Sequence, residues 1–149
     1  MPDIKPIVRD DDPQLRTVSA LVTEFDESLM TLIEQMLAAM ITNQGIGLSA
    51  IQIGVAKRVI VAFADKEMHV MINPEYIRKL NREVVMEEGC LSIPGLRRKV
   101  SRPAKCEIAW QDPEGNFHTG NFSGMLARII QHEMDHLQGV LITDKPHVQ

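Results

Sequence analysis

Apolar residues recur at helical spacing from Asp26 to roughly Thr42. Leu29, Ile33, Met36, Leu37 and Met40 fall along one stripe there and predict an amphipathic helix lying on a core. Beyond Arg58 the pattern changes to short β-type runs, Val59–Phe63, His69–Ile72 and Glu83–Met86, broken by the turn-forming pairs Asp65-Lys66, Asn73-Pro74 and Pro94-Gly95. Two more runs, Cys106–Trp110 and Asn116–Thr119, flank Asp112-Pro113-Glu114-Gly115, whose residues suit a tight turn and predict a hairpin. A second helix can start at Ser123, a suitable N-cap, and stop before Gly139, a suitable C′ residue. Met125, Ile129, His132 and His136 lie along one side of it. Helix, strands, helix, with no internal repeat and no linker, predicts an α+β fold. The expected architecture is one domain over residues 1–149, with small antiparallel or mixed sheets around the second helix.

Composition narrows the class of protein. With 44% hydrophobic and 24% charged residues in 149, the chain is neither disordered nor fibrous, and its length suits one domain. A net charge of −4, with both signs interspersed, gives no electrostatic footprint for nucleic acid or an anionic membrane. The start has no apolar h-region, and no stretch approaches the ~20 apolar residues of a membrane span. The expected location is therefore the cytoplasm, or the matrix or stroma of an organelle. Cys90 and Cys106 are too few for a disulfide scaffold, and in such a compartment they stay thiols.

Chemistry concentrates in His132-Glu133-Met134-Asp135-His136. Residues four apart on a helix share a face, so His132 and His136 can offer two imidazole nitrogens to one ion. Glu133 lies one step around, where it can act as a general base on a water that the ion activates. The bland alternative is a polar helix face with two satisfied histidines. A catalytic site needs a third protein ligand and one open position. The familiar peptidase pattern would put a third histidine at position 142, which is Ile142, so the ligand must come from upstream. Cys90, His69, His118 and several carboxylates are candidates, and ligand softness favours Cys90.

Three segments, in order, resemble peptide deformylases: Gly45-Ile46-Gly47-Leu48-Ser49-Ala50-Ile51-Gln52, Glu88-Gly89-Cys90-Leu91-Ser92 and Gln131-His132-Glu133-Met134-Asp135-His136. Weaker likeness runs from Asp12-Pro13-Gln14-Leu15-Arg16 through Ile72-Asn73-Pro74 to Leu137-Gln138-Gly139, so nearly the whole chain is covered. The resemblance implies a hydrolase that removes the formyl group of N-formylmethionyl peptides, acting near the ribosome during translation. It implies one divalent ion per chain, held by Cys90, His132 and His136. Iron(II) is expected, with zinc, nickel or cobalt able to replace it. Glu133 is implied as general base, with the Gln52 side chain and the Leu91 N–H as oxyanion donors. A methionine pocket lined by Ile46, Gly47, Met125, Arg128 and Ile129 follows from the same likeness, as does a structural Glu88–Arg102 pair. The glycines of Gly45-Ile46-Gly47 suit a substrate backbone laid alongside as an added strand. Two departures stand out: Ser49 replaces the family's usual alanine, and the tail after Gly139 is short, without loss of a catalytic residue. The rivals are an endopeptidase built on the same helix, disfavoured by the missing downstream ligand, and a silent binding module, disfavoured by the retention of Glu133, Gln52 and Cys90.

Overall fold

The structure, a computed structural model, describes residues 4–148. Two α-helices, α1 (Glu27–Thr42) and α2 (Gly124–Leu137), pack on opposite faces of a five-stranded sheet. Its strands are β1 (Gly47–Ser49), β2 (Val59–Ala64), β3 (Glu67–Lys79), β6 (Lys105–Gln111) and β7 (Phe117–Ser123), in that order across the sheet and all antiparallel. A separate antiparallel pair, β4 (Glu83–Cys90) and β5 (Ile93–Pro103), forms a long hairpin.

Local chemistry accounts for these boundaries. The Asp26 side chain accepts from the Ser28 and Leu29 N–H groups and so starts α1. Leu29, Ile33, Met36 and Met40 then face the core as the spacing predicts. Asp65 and Lys66 both take positive φ, the geometry of a tight hairpin turn between β2 and β3. β2 alternates across the sheet: Val59 and Val61 pack with α1, and Ile60 and Ala62 pack with α2. A third cluster joins Leu15, Ile51, Val100, Leu141 and Ile142, holding the two ends of the chain to the β5 side. α2 ends as predicted, with Gly139 at φ +75. Ser123 takes the N-cap position but forms no side-chain cap bond. No helix among the described residues is long and apolar enough to cross a membrane.

Two predicted turns prove to be irregularities inside strands. Asn73-Pro74 does not end β3, which continues to Lys79 across a register shift. Asn73 has φ +53, and its side-chain amide bonds the Val22 N–H and C=O at 2.8 and 2.9 Å and donates to Gln111 Oε1 on β6 at 2.8 Å across the irregularity. Pro94-Gly95 is not the chain reversal either. The register passes from Glu88↔Arg98 to Cys90↔Ile93, so the reversal is at Leu91-Ser92 and residues 94–97 bulge out of β5. Leu91 and Cys90 are thereby carried to the very end of the hairpin.

Candidate metal centre

His132 and His136 sit one turn apart on α2, and Cys90 closes β4. Their ligand atoms all lie within 4.8 Å of one another, and Cys90 Sγ is 3.4 Å from His136 Nε2. Among the described residues this is the one His/Cys/Asp/Glu group with that geometry. The other upstream candidates are elsewhere: His69 lies 3.7 Å from Glu67, and His118 lies 2.7 Å from Asp112 at the hairpin turn.

The surroundings fit a cation. His132 Nδ1 is 2.9 Å from Glu88 Oε1, which makes Nδ1 the protonated nitrogen and leaves the Nε2 lone pair available to a metal. Burial pushes the His132 pKa down. Glu133, Cys90 and Glu88 together outweigh that and raise it, so the pocket favours a positive charge at His132, which a metal ion on Nε2 would supply in place of a proton. Burial, reinforced by His132, Arg102 and Arg16, keeps His136 well below its ordinary value and hence neutral, as a ligand must be. One sulfur and two imidazoles suit a single late first-row divalent ion.

Behind the ligands, Glu88 is the hub of a buried network. Arg102 donates to it from Nε and Nη2 at 2.6 and 2.9 Å, and Arg128 from Nη1 at 2.5 Å. Burial alone would raise the Glu88 pKa, but hydrogen bonds from His132 and Arg102 hold it well below the usual carboxylate range. Arg102 also reaches Asp135 at 2.8 Å, tying the hairpin to α2.

Cys90 and His132 open onto a cavity of about 680 Å³. It is lined by Gly45, Ile46 and Gly47, by Gly89, Cys90 and Leu91, and from α2 by Met125, Arg128, Ile129, His132 and Glu133. Gln52 lines it as well, so every predicted site residue except His136 borders the cavity. The Gln52 side-chain oxygen, Oε1, accepts from the Ser49 N–H at 2.9 Å, which turns its NH₂ group toward Ser92 Oγ at 3.1 Å and Cys90 Sγ at 3.7 Å. Glu133 is buried beside the histidines. Burial, partly offset by His132, Ser49 and Arg102, raises its pKa to about 7, a value suited to a general base.

The family model described as Polypeptide deformylase matches residues 4–148. The chain belongs to the polypeptide deformylase family. It is accordingly a metal-dependent hydrolase that takes the N-formyl group off new polypeptides. A peptide deformylase of Zymomonas mobilis is 43% identical over 148 residues, covering 93% of this chain and 84% of that protein. The crystal structure of the Thermotoga maritima deformylase superposes with a TM-score of 0.95 at 36% identity, over 98% of this chain and 99% of that one. A Met-Ala-Ser-bound structure of the Acinetobacter baumannii deformylase does so with a TM-score of 0.94 at 30% identity, over 98% and 100%.

Some features of this deformylase site had no signal in the sequence. Arg128 borders the cavity, yet its guanidinium is committed to Glu88 and to the Val84 and Val100 carbonyls at 2.6 and 3.1 Å. Gly47 has a second reason to be glycine: an added Cβ would lie 2.6 Å from Glu133 Oε2 and 2.7 Å from Ile129 Cγ2. The partnership of Ser92 with Gln52 is likewise invisible until the hairpin folds back.

Proposed function

We propose that Cys90, His132 and His136 hold one divalent ion, iron(II) in the cell, and that the substrate is an N-formylmethionyl peptide. The observation that carries this is the gathering of three metal-ligating atoms within 4.8 Å, beside Glu133, in the wall of an open cavity. A thiolate with two imidazoles suits zinc and iron(II) alike, and the family resemblance favours iron(II), with zinc, nickel or cobalt able to replace it. When bound, the ion supplies Lewis acidity that makes water a nucleophile near neutral pH.

Glu133 takes a proton from the attacking water and later gives it to the departing amine, releasing formate. The Gln52 NH₂ group and the Leu91 N–H stabilise the negative charge that develops on the formyl oxygen. Ile46, Gly47, Met125, Arg128 and Ile129 receive the methionine side chain, a reading supported by the Met-Ala-Ser complex of the similar A. baumannii protein. The chain acts as one catalytic domain over residues 1–149, in the cytoplasm or an organelle's equivalent, on polypeptides leaving the ribosome.

Metallated protein should release formate from formyl-Met-Ala-Ser about 10–150-fold faster than from formyl-Gly-Ala-Ser, because burying a methionine side chain contributes about 1.5–3 kcal/mol. Glu133→Gln, run as the control, should keep its metal and lose at least about 100-fold in turnover. Mass spectrometry showing cleavage between methionine and alanine, or a persistent formyl group, sinks the proposal.

A further inference from the structure

Ser49 is completely buried where β1 meets the short turn Ala50–Ile53. Its Oγ lies 2.7 Å from the Glu133 carbonyl oxygen and 3.1 Å from the Glu133 carboxylate Oε1. A hydroxyl carries one proton, which here is shared between the main-chain carbonyl, the nearer acceptor, and the side-chain carboxylate of the same residue. The other carboxylate oxygen, Oε2, stands over Gly47, where an added Cβ would be 2.6 Å away. No donor among the described residues reaches Oε2, whereas Oε1 has Ser49.

We propose that Ser49 is a positioning residue for deformylation: its hydroxyl secures Oε1 of Glu133, so that Oε2 is the oxygen that moves the proton. This rests on the reading of Glu133 as general base. In the first step an O–H bond of the attacking water breaks as an O–H bond forms on Oε2 and the new C–O bond forms at the formyl carbon. In the second the C–N bond breaks with its electron pair left on nitrogen, and the proton passes from Oε2 to that nitrogen. Glu133 returns to its starting state and nothing is oxidised. While Oε2 carries the proton, the Ser49 hydroxyl still has the Glu133 carbonyl within reach, so it keeps a partner throughout.

Ser49→Ala removes the hydroxyl without adding bulk. For formyl-Met-Ala-Ser its kcat should fall roughly tenfold, with KM and metal content within about twofold of the parent. In a Glu133→Asp background, whose shorter carboxylate cannot reach Ser49, the same change should cost less than about twofold. A crystal structure of Ser49→Ala should show the Glu133 carboxylate in more than one position. An unchanged kcat, a tenfold loss that persists beside Glu133→Asp, a loss traceable to missing metal, or a carboxylate that stays in place would each overturn the assignment. Should metallated parent protein release no formate, the deformylase reading fails, and the crystal comparison still decides whether Ser49 holds Glu133.

Discussion

Glu88 meets His132 at 2.9 Å with the two side chains 5% and 9% exposed, whereas Asp112 meets His118 at 2.7 Å with 23% and 45% exposed. Both are carboxylate–imidazole pairs of nearly equal length. They differ in what surrounds them. Glu88 also carries Arg102 and Arg128, and through His132 it orients a metal ligand. Asp112 closes a surface turn by accepting from the Glu114 and Asn116 N–H groups, and His118 stacks on Trp110 with ring centroids 5.6 Å apart. Distance alone therefore says little about what a pair contributes; solvent and the number of dependent partners decide it.

That contrast can be broken by substitution. Glu88→Ala leaves the buried Arg128 guanidinium without a counter-charge, Arg102 with Asp135 alone, and the His132 Nδ1 proton without its acceptor. It should lower stability by about 3–5 kcal/mol in urea titrations and weaken metal binding about 10–100-fold. Comparable damage from Asp112→Ala would erase the distinction. Arg128→Lys keeps the charge but loses the fork that joins Glu88 to the Val84 and Val100 carbonyls. A stability loss of about 1.5–3 kcal/mol is expected. Preference for methionine over glycine should survive, since the apolar stem remains; loss of that preference in formate assays would make the guanidinium a substrate contact instead.

The smallest effect is assigned to the surface pair. Asp112→Asn should leave metal content unaltered and lower Tm only slightly, and by less as salt is added. A hydrogen bond with His118, aided by the Asn116 and Glu114 N–H groups, depresses the Asp112 pKa from an ordinary 3.8 to about 2. Its contribution is therefore present above about pH 4 and lost as pH falls through about 2. Parent and Asp112→Asn melting curves should converge over that acid range, and a gap that widens there would contradict the assignment.

Periodicity and local caps disclosed most of the fold. α1 is bounded where Asp26 can cap it, and the β2–β3 hairpin turns at Asp65-Lys66, because those signals act over a few residues. Pro94-Gly95 misled because turn chemistry also serves a bulge, and only the pairing of Cys90 with Ile93 distinguishes the two. The helical spacing of His132 and His136 was legible in the same local way. Cys90 needed softness and family likeness, since nothing local says which strand end will meet the helix. The Arg128–Glu88 and Ser49–Glu133 contacts join residues 40 and 84 positions apart, distances over which sequence pattern carries no register. Ser49 reads in the sequence only as a replacement for the family's usual alanine, because its identity is legible there and its partner is not.

β1 lies at the outer edge of the five-stranded sheet and is only three residues long, Gly47–Ser49. Gly47 and the preceding Ile46 line the cavity, while Leu48 and Ser49 are buried. An unpaired strand edge is what an extended peptide needs, and it is equally an invitation to another copy of the same protein. Brevity resolves the conflict. An edge this short, with only Gly47 at the cavity, offers too few backbone groups to template a growing stack and so does not become a seed for aggregation.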